Sequence, residues 1–155
     1  MDKKETVKTE ADELVKKLID QYEIEVTEEG DSYQVIIKTD AEAPTIIGRH
    51  GETIRAIQKI LEVILYRKIK EPMRLLVNVN DYREKQKERL EQLAAETAER
   101  VESSSEPVAL RNLSSYERKV IHEYVTKNYP NLTSYSEGEG RDRRLMLGPK
   151  EKQAE

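Results

Sequence analysis

Residues 47–57 read Ile47-Gly48-Arg49-His50-Gly51-Glu52-Thr53-Ile54-Arg55-Ala56-Ile57, and what this stretch means decides the fold. Two helical segments meet at a tight loop with glycine at both ends. Glycine permits positive φ and lets the backbone come close to a ligand. The start of the second helix leaves backbone N–H groups without helical partners. Those groups and the helix dipole favour an anion there. Arg49 and His50 sit at the tip and add side-chain donors, so phosphate is the natural occupant. A Gly-x-x-Gly pair alone is also an ordinary turn between helices, so its meaning depends on its flanks.

Upstream of the loop, Ala43-Pro44-Thr45-Ile46-Ile47 predicts a short helix with proline at a starting position. Downstream, Ile54, Ile57, Leu61, Ile64 and Leu65 share one stripe and predict a longer helix. Pro72 closes it, and Met73, Leu75, Val77 and Val79 then alternate as a strand does. Further upstream, residues 5–21 carry Val7, Ala11, Leu14, Val15, Leu18 and Ile19 at helical spacing. Tyr22, Ile24 and Val26 alternate before the turn Glu29-Gly30-Asp31, and Tyr33, Val35 and Ile37 after it, which predicts a β-hairpin. The order over residues 5–80 is therefore helix, strand, strand, helix, loop, helix, strand.

Beyond residue 80 the chain is different in kind. Residues 82–102 predict a long charged helix whose apolar stripe is Leu90, Leu93, Ala94, Ala98 and Val101. Its charges read as a solvated face, and the stripe is too short for a coiled coil. Ser103-Ser104-Ser105-Glu106-Pro107 has the composition of a hinge. Val108 and Leu110 suggest a short strand. Ser114 and Glu117 have capping-box spacing and open a helix over 114–127, which Asn128-Tyr129-Pro130 stops. Leu132–Ser136 and Arg144–Leu147 read as two strands joined by the turn Glu137–Gly140. Arg118 and His122, four apart, share one helix face. Arg141, Arg143 and Arg144 form a cationic cluster, which also suits an edge strand protected from aggregation by charge. Tyr116, Tyr124 and Tyr135 read as core before they read as base-stacking rings. Residues 151–155 read as a frayed tail.

The chain has 155 residues, no Cys, Phe or Trp, and a net charge of −4. That net charge hides an alternation. Residues 1–40 carry −6, 41–80 carry +3, 81–106 carry −3, 107–150 carry +3 and 151–155 carry −1. Binding responds to local potential, so the two basic blocks matter more than the sum. The absence of cysteine excludes disulfides and thiolate sites and fits a reducing compartment. The start has no apolar run of a signal peptide, and no stretch is long enough to span a bilayer. A cytoplasmic protein without membrane insertion is expected. Enzyme readings find little support. There is no Walker loop and no Gly-x-Ser-x-Gly. His50 and His122 lack the close spacing of a metal motif, and the carboxylates lie in charged runs with Lys or Arg. No catalytic residue, metal, cofactor or small-molecule substrate is expected.

The isoleucines around the loop have the spacing of the KH motif, and the order of elements over 5–80 resembles the type II KH arrangement. This resemblance implies that Gly48, Arg49, His50 and Gly51 clamp the backbone of about four nucleotides of RNA. It also implies a groove for bases beside the loop, formed by Ile46, Ile47, Ile54 and Arg55, although Ile46, Ile47, Ile54 and Ile57 read mainly as core. The span 107–148 resembles the R-three-H domain, named for an Arg-x-x-x-His pair. That implies a nucleic-acid surface made by Arg118, His122, Arg141, Arg143 and Arg144. A KH domain followed by an R-three-H domain resembles the Jag family of bacterial RNA-binding proteins.

The expected fold is α+β: a type II KH domain over 1–80, a connecting helix and hinge over 81–106, and a small α/β R-three-H domain over 107–150. The expected function is binding of single-stranded RNA by a post-transcriptional regulator or RNA chaperone. The resemblance also implies a small KH-domain protein as a partner and a link to cell shape. Many Jag proteins carry an additional N-terminal domain, whereas this sequence starts almost directly with the KH helix. Two other functions fit the same residues: a protein-interaction adaptor with secondary nucleic-acid binding, and a single-stranded DNA binder.

Overall fold

The computed structural model describes residues 2–151, so the expected tail lies outside the described residues except for Glu151. The chain divides into two compact units, with the division between Arg83 and Glu84.

The first unit opens with helix α1, Lys3–Val15, capped by Asp2, whose side chain accepts from the Lys4 N–H at 3.0 Å. The apolar spacing runs on to Ile19, but the helix does not. Tight turns follow, with Leu18 N–H to Val15 O at 2.9 Å. They bury Ile19 and leave Leu18 47% exposed. Strands β1, Glu23–Glu29, and β2, Ser32–Lys38, pair antiparallel with Val26 opposite Val35. Gly30, at φ +59°, takes the tight turn between them.

Helix α2, Ala43–Ile47, carries Pro44 in its first turn. A single 3₁₀ turn, Arg49–Gly51, leads into α3, Glu52–Ile69. Strand β3, Arg74–Val79, returns parallel to β2, giving the sheet order β1-β2-β3. The core lies between one sheet face and the helices. Val7, Ala11 and Val15 meet Val35, Ile37 and Val77, together with Ile46, Ile57, Leu61 and Leu65. The observed order of elements is the one read from residues 5–80.

The outer edge of β3 is occupied by side chains. The Gln58 side-chain carbonyl accepts from Val77 N–H at 3.0 Å and from Arg83 Nη2 at 3.0 Å. Arg83 Nε in turn donates to Val77 O at 2.6 Å. The backbone groups that another strand would need at this residue are thereby satisfied.

Helix α4, Tyr82–Ser104, begins in the last residues of the first unit. The expectation made it a connector. In the structure its stripe of Leu90, Ala94, Ala98 and Val101 is buried and builds the core of the second unit with Ile121, Val125, Leu132, Leu145 and Leu147. Ser103 and Ser104 continue the helix, and the chain turns at Ser105, φ +59°.

Strand β4, Val108–Leu110, helix α5, Ser115–Asn128, strand β5, Leu132–Glu137, and strand β6, Arg144–Pro149, complete the unit. The sheet is antiparallel in the order β4-β6-β5, so β5 is an edge. The capping box forms as read: Ser114 Oγ accepts from Glu117 N–H at 3.2 Å, and Glu117 accepts from Ser114 N–H at 2.7 Å. Gln86 of α4 donates to the same buried carboxylate at 3.4 Å, tying α4 to α5. Among the described residues no helix is long and apolar enough to cross a membrane.

Candidate functional site

The loop between α2 and α3 is shaped by glycine. Gly48 sits at φ 72°, ψ 177°, a conformation essentially confined to glycine. A Cβ there would lie 2.2 Å from Thr53 Oγ1 and 2.8 Å from Thr53 N. Gly51 is left-handed at φ 74°, ψ 18°, and a Cβ on it would approach the Tyr82 ring at 3.1 Å. His50 is also left-handed, at φ 54°. The loop is closed from within: Gly48 N–H donates to Pro44 O at 3.0 Å and Gly51 N–H to Gly48 O at 3.3 Å.

Arg49 is exposed at the tip. No side chain caps the first turn of α3, so its positive end faces the loop. Arg55 is tied down, its Nη1 donating to the His50 carbonyl at 2.9 Å. Of the isoleucines expected to floor a groove, Ile46 and Ile54 are buried, at 0% and 2% exposure. They hold the loop from beneath, and Ile47 alone is partly open. Ile46 and Ile54 both belong to the core that α2 and α3 form with α1 and the sheet.

In the second unit, α5 and β5 border an open cleft of roughly 380 Å³. Arg118, Lys119, His122 and Arg143 line it, with Ser115, Ser134, Ser136 and Tyr135. Arg118 and His122 are one turn apart on α5, and each is fixed by a polar contact. Arg118 Nη1 donates to Leu113 O at 2.7 Å. His122 Nδ1 hydrogen-bonds Ser134 Oγ across the cleft. Arg143 is steadied by Gly138 O at 3.1 Å.

The expected arginine cluster does not converge as a group. Arg143 lines the cleft, Arg141 is exposed in the 3₁₀ turn Gly140–Asp142, and Arg144 pairs with Glu137 at 2.6 Å. That pair follows from register, since Arg144 lies opposite Glu137. The reading of Tyr135 as core is corrected: it is 51% exposed and lines the cleft. Lys119 and the three serines were not singled out in the sequence. Lys119 was legible in principle, because it neighbours Arg118 on the same helix.

Comparison with known proteins agrees with this architecture. Residues 8–79 match the family described as KhpA/KhpB, KH domain, and residues 88–149 match the R-three-H domain. The chain carries a KH domain followed by an R-three-H domain, the order expected from its resemblance to the KhpB/Jag family. The RNA-binding protein KhpB of Streptococcus pneumoniae serotype 2 is 32% identical over 146 residues, covering 92% of this chain and 44% of that relative. The RNA-binding protein KhpB of Bacillus subtilis is 33% identical over 114 residues, covering 72% of this chain and 54% of that relative. The KhpB of Clostridium symbiosum is 27% identical over 154 residues, covering 96% and 68%. The chain thus spans about half the length of the first two relatives. The R-three-H match starts at residue 88, inside α4. This agrees with the burial of the α4 stripe in the second core.

Proposed function

We propose that this chain binds single-stranded RNA, in the cytoplasm, by contact and not by catalysis. One surface is the Gly48–Gly51 loop with Arg49 and His50. The other is the cleft of Arg118, Lys119, His122 and Arg143. The observation that carries the reading is the Gly48 backbone, which admits no side chain and brings main chain to the surface at the uncapped positive end of α3. Such an arrangement suits a phosphate and a neighbouring sugar better than a protein side chain. In the cleft, guanidinium and ammonium groups supply phosphate contacts and the exposed Tyr135 ring offers a stacking face. Ile46 and Ile54 support the first surface from below, Ile47 borders it, and Arg141 and Arg144 flank the second. The names of the relatives, all RNA-binding proteins, point the same way.

The test is direct binding. Arg49→Asp with His50→Asp places two carboxylates where phosphate would sit. The double variant should keep its melting temperature and lose at least about tenfold in affinity for a short single-stranded RNA. Unchanged affinity in the folded variant would remove the loop from the interface. The same strand made as DNA, measured in parallel, separates the RNA reading from a single-stranded DNA binder.

A further inference from the structure

The face of α5 turned away from β5 borders a second groove, against α4, of roughly 540 Å³. Its lining includes Lys87, Tyr116, Lys119, Tyr124 and Lys127, with Glu91 and Glu123. Lys119 lines both this groove and the cleft of Arg118 and His122. We propose that the α4–α5 groove is a further nucleotide subsite, and that a single RNA strand continues from the cleft over Lys119 into it, with Tyr116 stacking on a base. This inference rests on the RNA reading of the cleft and extends its path.

Three observations support it. Tyr116, in the first turn of α5, is 39% exposed and lines the groove, so it is accessible to a base. A stacking platform for single strands needs such a face next to cationic groups that follow the backbone. The groove is continuous with the cleft through one shared cation. Its charge also fits a polyanion: three lysines face two glutamates. The ion pairs that oppose this are weak. Lys87–Glu91 and Lys119–Glu123 stand at 3.9 and 4.0 Å between well-exposed groups, so a phosphate can displace a carboxylate at little cost. Lys127 has no ion pair among the described residues.

The alternative occupant, a protein segment, would use the tyrosines as apolar anchors and would not discriminate by strand length. The experiment titrates the full chain, carrying Arg49→Asp and His50→Asp so that the second unit is read alone. The probes are oligouridylates of about 4 and about 12 nucleotides. Tyr116→Ala should weaken the longer strand about fivefold or more and leave the shorter one unchanged. Tyr116→Phe, which keeps the ring, should bind like the parent. If Tyr116→Ala lowers the melting temperature, the exposed pair Lys87→Glu with Lys127→Glu replaces it, with the same length-dependent loss expected. Should Arg118→Ala weaken binding while the groove variants do not, the groove is off the path and the cleft reading stands. Loss on both strand lengths, or an equal loss in Tyr116→Phe, would also overturn the subsite. If neither Arg118→Ala nor the groove variants change binding, both readings fall together.

Discussion

At Gly48 the backbone admits no side chain. The residue occupies a region of φ and ψ open essentially to glycine, and a Cβ would lie 2.2 Å from Thr53 Oγ1. Gly48→Ala should therefore cost about 2–4 kcal/mol, combining backbone strain with displacement of the first turn of α3. Gly30 is the control. It is left-handed at φ +59° but has nothing within 4 Å of a Cβ, so Gly30→Ala should cost only the roughly 1–2 kcal/mol of left-handed backbone. Denaturant unfolding of the two variants measures the difference; equal costs would mean that the loop yields freely. This residue was legible in the sequence because glycine spacing is a local signal. For Ile46 and Ile54 core is the main reading of the sequence and a groove the second; apolar character cannot choose between them, being the same whether a side chain floors a groove or fills a core. Tyr135 was hidden for another reason. The inward positions of β5 include Ser134 and Ser136, so the strand shows no apolar alternation to mark its outward face. Ser134 is polar because it meets His122, a contact between residues on separate elements that no local pattern records.

Among the elements, the β1–β2 hairpin carries a measurable pH signature. Tyr33 on β2 lies opposite Glu28 on β1 and donates its hydroxyl to that carboxylate at 2.8 Å. The hydrogen bond, with burial of the ring, pushes the phenol up to about 12. In an unfolded chain it titrates near pH 10. A pKa raised by folding stabilises the protein fully below the unfolded value and is lost as pH rises through the folded one. Stability should thus hold through neutral pH and fall between about pH 10 and 12. Tyr22, whose hydroxyl is pushed up to about 12 by burial and by its bond to Asp12, adds to the same fall. Tyr33→Phe should remove part of this alkaline slope; an unchanged slope would show that the hydroxyl is not held in the folded state. The hairpin was legible from alternation and its turn, and α5 from the Ser114–Glu117 capping box. The end of α1 was not, because a stripe that continues through a tight turn looks like a continuing helix. Ile19 stays buried by a different route.

For the molecule as a whole, the decisive fact is where α4 belongs. The charge pattern suggested a connector, because its acidic residues dominate the composition. Four small or medium apolar side chains decide otherwise: Leu90, Ala94, Ala98 and Val101 are at most 3% exposed and face the second sheet's core. Alanine at two of these positions is an ambiguous signal, as it suits solvent and close helix packing alike. The consequence is a definite expectation about dissection. A fragment of residues 103–155 would lose the α4 side of the core that holds Ile121, Val125, Leu145 and Leu147, and should show no cooperative thermal transition. Residues 84–155 keep that cover and should melt cooperatively, and residues 1–83 keep Arg83 against the edge of β3 and should do the same. A cooperative transition in 103–155 would mean that α4 is dispensable to the second core. The same fragments then test whether the two surfaces act together. An equimolar mixture of 1–83 and 84–155 contains every proposed contact but no covalent link, so neither surface raises the effective concentration of the other. On strands long enough to engage both surfaces, the intact chain should bind at least about tenfold tighter than the mixture. On strands of about four nucleotides, which occupy a single KH-type loop, the two should be equal. If the intact chain gains nothing on long strands, the two surfaces do not share one RNA, and tandem binding is wrong even if each surface binds alone.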